Sequence, residues 1–113
     1  MNQMTQTDPN RDQIFRAFAD PTRRALFERL CRDGAQTVHS LTKGAAISQP
    51  AVSKHLGVLK SAGLISGQVQ GRETRYSAEP TALVPLTDWL AFYTSFWETK
   101  FDGLTDLLKR MDQ

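Results

Sequence analysis

Between positions 48 and 60 the chain gathers Ser48, Gln49, Ser53, Lys54 and Lys60, side chains that exchange hydrogen bonds or carry positive charge. On a helical wheel at about 100° per residue, Gln49, Pro50, Ser53, Lys54, Gly57 and Lys60 collect on one side. Ala51, Val52, Leu56, Val58 and Leu59 collect on the other, and His55 falls with that apolar side. Glutamine and serine can match the donors and acceptors on base edges, lysine suits a phosphate, and a glycine lets another backbone come close. A helix lying in the major groove of DNA needs this mixture. A plain amphipathic helix with a solvated outer face would show the same two-sidedness, so the surrounding segments must decide.

Other chemistries find little support. There is no Gly-rich phosphate loop, no nucleophile elbow with a Ser/His/Asp order, and no His-Glu-x-x-His. The chain therefore reads as a non-enzyme. His39 and His55 stand apart from each other and from Cys31, whereas a transition-metal site wants imidazole or thiolate ligands clustered at fixed spacing. No metal and no other cofactor is expected. One cysteine excludes an intrachain disulfide. Cys31 sits beside Arg32, which could activate the thiol, and beside Leu30, which suits an inert one; both readings stay open.

The segments around the polar helix look like its scaffold. Asp8-Pro9 and Asp20-Pro21 each offer a carboxylate cap followed by proline at the first helical position. Ile14, Phe15 and Phe18 then give the first helix an apolar stripe, and Leu26, Phe27 and Leu30 give one to the second, which closes at Asp33-Gly34. A short helix over 37–43 stops at Gly44, Ser48 caps the helix at 49–62, and Gly63 closes it. Residues 64–77 read as two short strands joined at Gly71-Arg72, and a last helix covers about 85–110. The fold class is mainly α with a β-hairpin: a helix-turn-helix followed by a wing. An arginine at a hairpin tip can reach the adjacent minor groove, whose potential is negative.

The 113 residues allow one domain, expected over 9–113 with a flexible 1–8. At 40% hydrophobic and 23% charged the composition is that of a globular chain, and the net charge is +2. Distribution says more than the total, since 11 of the 14 basic residues fall between Arg11 and Arg75. With no apolar export signal and no membrane-length run, the expected location is the cytoplasm and no membrane partner is expected.

The stretches at 18–24 (FADPTRR), 47–56 (ISQPAVSKHL) and 62–65 (AGLI), with Gly71-Arg72, resemble the ArsR family of winged helix-turn-helix regulators, over about Arg11 to Leu108. That resemblance implies a homodimeric repressor that binds operator DNA and is released by an effector. It carries base- and phosphate-reading roles to Gln49, Ser53 and Lys54, a capping and phosphate role to Ser48, and a frequent family position to His55. Arg72 becomes the minor-groove candidate at the wing tip and Arg75 a phosphate contact, while Tyr76 reads as structural. Arg23 and Arg24 could meet phosphates, although Arg24 is also spaced to pair with Glu28. Metal-sensing relatives carry Cys-x-Cys on the helix before the recognition helix, or Asp/His and His/Glu pairs on the last one. Here residues 37–41 hold no cysteine and the last helix no histidine, which points to a subgroup lacking the metal motif.

Six of the ten aromatic residues fall between 89 and 101. With several leucines they cover about half the wheel of the last helix, wider than the stripe of roughly 100° that one core needs. Trp89, Tyr93, Phe96, Trp97, Phe101, Leu104 and Leu108 are therefore expected at a dimer interface. Deep burial in one core and an aromatic ligand pocket are the other readings of this helix. For the whole chain, the alternative to an operator-binding regulator is a winged helix that binds protein instead of DNA.

Overall fold

Asp-Pro pairs start the first two helices as the sequence predicts. The structure, a computed structural model, describes residues 8–111. Asp8 is extended, its carboxylate accepts from the Asn10 and Arg11 backbone N–H groups, and α1 follows over Pro9–Phe18. Asp20 repeats the arrangement, accepting from Thr22 and Arg23, for α2 over Pro21–Asp33. The expected flexible N-terminus thus lies outside the described residues except for Asp8, which is a helix cap.

A two-residue strand, β1 (Gln36–Thr37), leads into α3 (Val38–Lys43), whose N-terminus Thr37 caps through its hydroxyl. At the turn after α3, Gly44 lies against the Arg29 guanidinium. Arg29 reaches from α2 to donate to the Leu41 and Ser40 carbonyls at 2.9 and 3.0 Å, and a Cβ at position 44 would lie 2.4 Å from its Nη1. Ser48 then accepts from the Ala51 N–H and α4 runs Gln49–Ser61.

Gly63, at φ 77°, ends α4 in a Schellman motif. The Leu64 N–H reaches back to the Leu59 carbonyl and the Gly63 N–H to that of Lys60, both at 3.0 Å. Leu64 and Leu59 are both fully buried, so the cap also starts the next strand from inside the core. Strands β2 (Ile65–Gln70) and β3 (Glu73–Ala78) pair antiparallel across Gly71-Arg72, with Gly67 opposite Tyr76 and Gln68 opposite Arg75. The sequence predicts two strands, but the sheet has three, ordered β1-β3-β2, with Gln36 and Thr37 paired to Tyr76 and Arg75.

The core of this unit, which ends at Leu83, joins Ile14 and Ala17 to Leu26, Phe27 and Leu30, with Leu41, Val52, Leu56, Leu59, Leu64 and Ile65. Phe18 meets Phe27 edge-on at 5.2 Å. Phe15, expected in the α1 stripe, is 39% exposed; it lies about 100° round from Ile14, and Ala17 takes the inward position.

The second unit begins at Val84. A 3-10 turn at Pro80–Leu83 comes before it, and α5 runs Val84–Met111, 28 residues with none buried. Trp89, Tyr93, Phe92 and Phe96 form a ladder of edge-on ring contacts with centroids 5.0–5.2 Å apart. No helix among the described residues is long and apolar enough to cross a membrane.

Candidate nucleic-acid interface

Helix α4 turns its two sides in the directions the wheel predicts. Val52, Leu56 and Leu59 are fully buried and Ala51 and Val58 half-buried, while Gln49, Ser53, Lys54, Gly57 and Lys60 are exposed. Ser48 keeps its hydroxyl on the helix end, accepting from the Ala51 N–H at 3.3 Å, and is itself exposed. The burial of one side fixes the helix so that the polar side is presented as a rigid strip.

The wing stands beside the start of this strip. Gly71, at φ 64°, makes the tight turn that sets Arg72 at the exposed tip. Gln49 of α4, Arg72, Glu73 and Tyr76 of the hairpin, and His39 of α3 line one cleft of about 220 Å³. Gln49 and Arg72 lie 23 positions apart, and packing of the hairpin against the helix-turn-helix brings them to one opening. Arg75 is exposed on β3, one of its guanidinium nitrogens donating to the Ala35 carbonyl at 3.4 Å. Tyr76 is half-buried and lines the same cleft. His39 had no role in the sequence reading, because only the hairpin's return across β1 carries it to the wing.

Other residues sit differently from the sequence expectation. His55, expected among the DNA-binding residues, is half-buried, its Nδ1 3.4 Å from Arg23 Nη1. Arg23 spends its other donors on the end of α1: Nε donates to the Ala17 carbonyl at 2.6 Å and Nη2 to that of Arg16 at 3.2 Å. Arg24 donates to the Phe18 carbonyl instead of pairing with Glu28. These two arginines complete a helix terminus, where unsatisfied carbonyls attract cations. The one ion pair among the described residues is the exposed Arg32–Asp33, at 3.9 Å, so carboxylates of the chain neutralise few of its cations.

The Cys31 thiol is exposed, and partial burial, then the Glu28 carboxylate, push its pKa up. A thiol kept protonated is a poor nucleophile, which goes against activation by Arg32. Among the described residues no group of three or more His, Cys, Asp or Glu could hold a metal ion.

Trp89 of α5 is half-buried, whereas Tyr93, Phe96, Trp97, Phe101, Leu104 and Leu108 are exposed. Phe92, Phe96, Trp97 and Phe101 are between 51% and 65% exposed. Apolar side chains thus stay exposed along much of α5.

Residues 18–68 match a family described as a helix-turn-helix domain. The HTH-type transcriptional regulator Rv2034 of Mycobacterium tuberculosis is 38% identical over 97 residues, covering 86% of this chain and 87% of that protein. The transcriptional repressor SdpR of Bacillus subtilis is 34% identical over 79 residues, 70% of this chain and 87% of its own. The crystal structure of an ArsR family transcriptional regulator, RHA00566, superposes with a TM-score of 0.73 at 36% identity, over 82% of this chain and 95% of that one.

Proposed function

This chain belongs to the ArsR family of winged-helix transcriptional regulators, and on that footing we propose that it is a cytoplasmic, homodimeric repressor that binds operator DNA. The observation that carries the reading is the α4 strip: Gln49, Ser53 and Lys54 exposed on a helix whose other side is locked in the core, with Arg72 across one cleft. In this reading α4 enters the major groove. Gln49 and Ser53 meet base edges, Lys54 and Arg75 meet phosphates, Ser48 touches a phosphate at the helix start, and Arg72 enters the minor groove. His55 orients Arg23 and α2 from behind.

The dimer supplies the second half of the reading. Two copies joined along the aromatic side of α5 would present two α4 helices to half-sites about one helical turn, roughly 34 Å, apart. Release by a small effector is carried by family membership alone. The relatives named above are regulators, which supports a non-catalytic role.

The test is fluorescence anisotropy with the duplex upstream of the chain's own coding sequence, against a scrambled duplex, at several salt concentrations. Specific binding is expected, with log affinity falling by about 0.9 per phosphate contact per decade of salt. Arg72→Ala should weaken binding and flatten that slope by about one contact. An unchanged slope removes the wing from the interface. No binding to either duplex even at low salt would favour a winged helix that docks on protein.

A further inference from the structure

On the flank of α4 away from the wing lies a second groove, of about 560 Å³, lined by Gln13, Arg16, Arg23, Lys54, Gly57 and Ser61 among others. It brings α1 and α4 together at a fixed width, because Gln13 Nε2 donates to the Ser61 carbonyl at 2.9 Å. Three cations line it and no carboxylate does. Arg23 is held in the wall by its contacts to the α1 carbonyls and His55, and adds its charge there. Arg16 and Lys54 are both exposed, and their side chains have no hydrogen bond or ion pair among the described residues. Two free cations from different helices thus line one groove with no carboxylate beside them, a setting that favours an anion.

The position of the groove says which anion. Lys54 and Gly57 belong both to the groove and to the exposed strip of α4, so the two surfaces are continuous. On the helical wheel Lys54 lies about 140° from Gln49, the α4 residue in the wing cleft. A helix in a major groove has a phosphate backbone along each border. In the docking proposed above, the wing lies toward one border and the α1 groove toward the other.

We propose that this groove is a second backbone site, in which Arg16 and Lys54 hold a phosphodiester of the strand bordering the major groove opposite the wing. The site rests on the DNA-binding reading and extends its footprint to α1, outside the helix-turn-helix.

Binding is measured by anisotropy on the full chain, with the upstream duplex and the scrambled duplex, over a salt series. Arg16→Gln should lower affinity for both duplexes alike, by about tenfold, the order of one lost charge-assisted hydrogen bond. Its salt slope should fall by about 0.9. Gly57→Glu puts a carboxylate into the groove at a position where a Cβ meets nothing within 4 Å. It should weaken binding further while leaving thermal melting at least as high as that of the wild type. Arg32→Gln removes an exposed charge outside the groove and should leave the slope unchanged.

If the wild type binds and Arg16→Gln keeps its affinity and slope, the groove is overturned and the regulator reading stands. An equal loss in Arg32→Gln also overturns it, since net charge would then explain the effect. A wild type that binds neither duplex at low salt overturns both readings together.

Discussion

Asp20 caps α2 through its carboxylate, with His55 and Arg23 close by. Burial works to raise its pKa, but the Arg23 and Thr22 backbone N–H groups, then the charges of His55 and Arg23, outweigh it and hold the carboxyl below its ordinary value. A carboxylate whose pKa is depressed by folding stabilises the fold above its unfolded pKa, and that contribution is lost as pH falls through the folded value. Asp20→Ala should therefore lower the melting temperature by several degrees at neutral pH, with a deficit that shrinks at an acid pH below the ordinary carboxylate value. Circular-dichroism melts at the two pH values decide this; a deficit that stays constant in acid would mean the carboxylate's charge has no part in it. Arg23 and Arg24 belong to the same scale. Their side chains look like phosphate ligands in the sequence, yet the carbonyls at the end of α1 claim them first.

Between residues and the whole chain stand the element junctions, and the α2–α3 junction is the most directly testable. Arg29 holds the last carbonyls of α3, and Gly44 leaves room for its guanidinium. Gly44→Ala should push the guanidinium off the Ser40 and Leu41 carbonyls and destabilise the chain by about 1–2 kcal/mol. Arg29→Ala should cost a similar amount, and the double variant little more than either single one, since both remove the same interaction. Fully additive losses in urea unfolding would show that Gly44 is there for another reason. Helices α1, α2 and α4 were legible at this scale because caps and apolar spacing agree, with closing glycines after α2 and α4. Strand β1 was not, since Gln36-Thr37 has no alternation of its own and exists by pairing with Tyr76 and Arg75.

For the whole molecule the deciding feature is α5, whose apolar side chains remain exposed along much of its length. A second copy burying this strip would gain about 25 cal/mol for each Å² of apolar surface removed from water. Trp97→Asp puts a charge in the middle of the strip and should yield monomers by analytical ultracentrifugation. Those monomers should bind the upstream duplex at least tenfold more weakly, because two half-sites are then no longer engaged as one unit. A variant that stays dimeric with full affinity would assign the aromatic strip to some other partner.

The sequence by itself determined the helices, the hairpin and the polar side of α4, because periodicity, capping and turn chemistry act over a few neighbouring residues. It also carried the family resemblance. What only the tertiary structure decided is which cations stay free. Arg72 stands out in the sequence by its place at the hairpin tip, but Arg16, Arg23, Arg24 and Arg29 are alike as helix side chains, and the sequence offers no way to rank them. Folding puts carbonyl groups within reach of Arg23, Arg24 and Arg29, and those hydrogen bonds hold them. It leaves Arg72 at the wing tip and Arg16 in a groove, side by side with residues of α4 that are distant along the chain. Such proximity comes from packing between elements, which no local rule encodes.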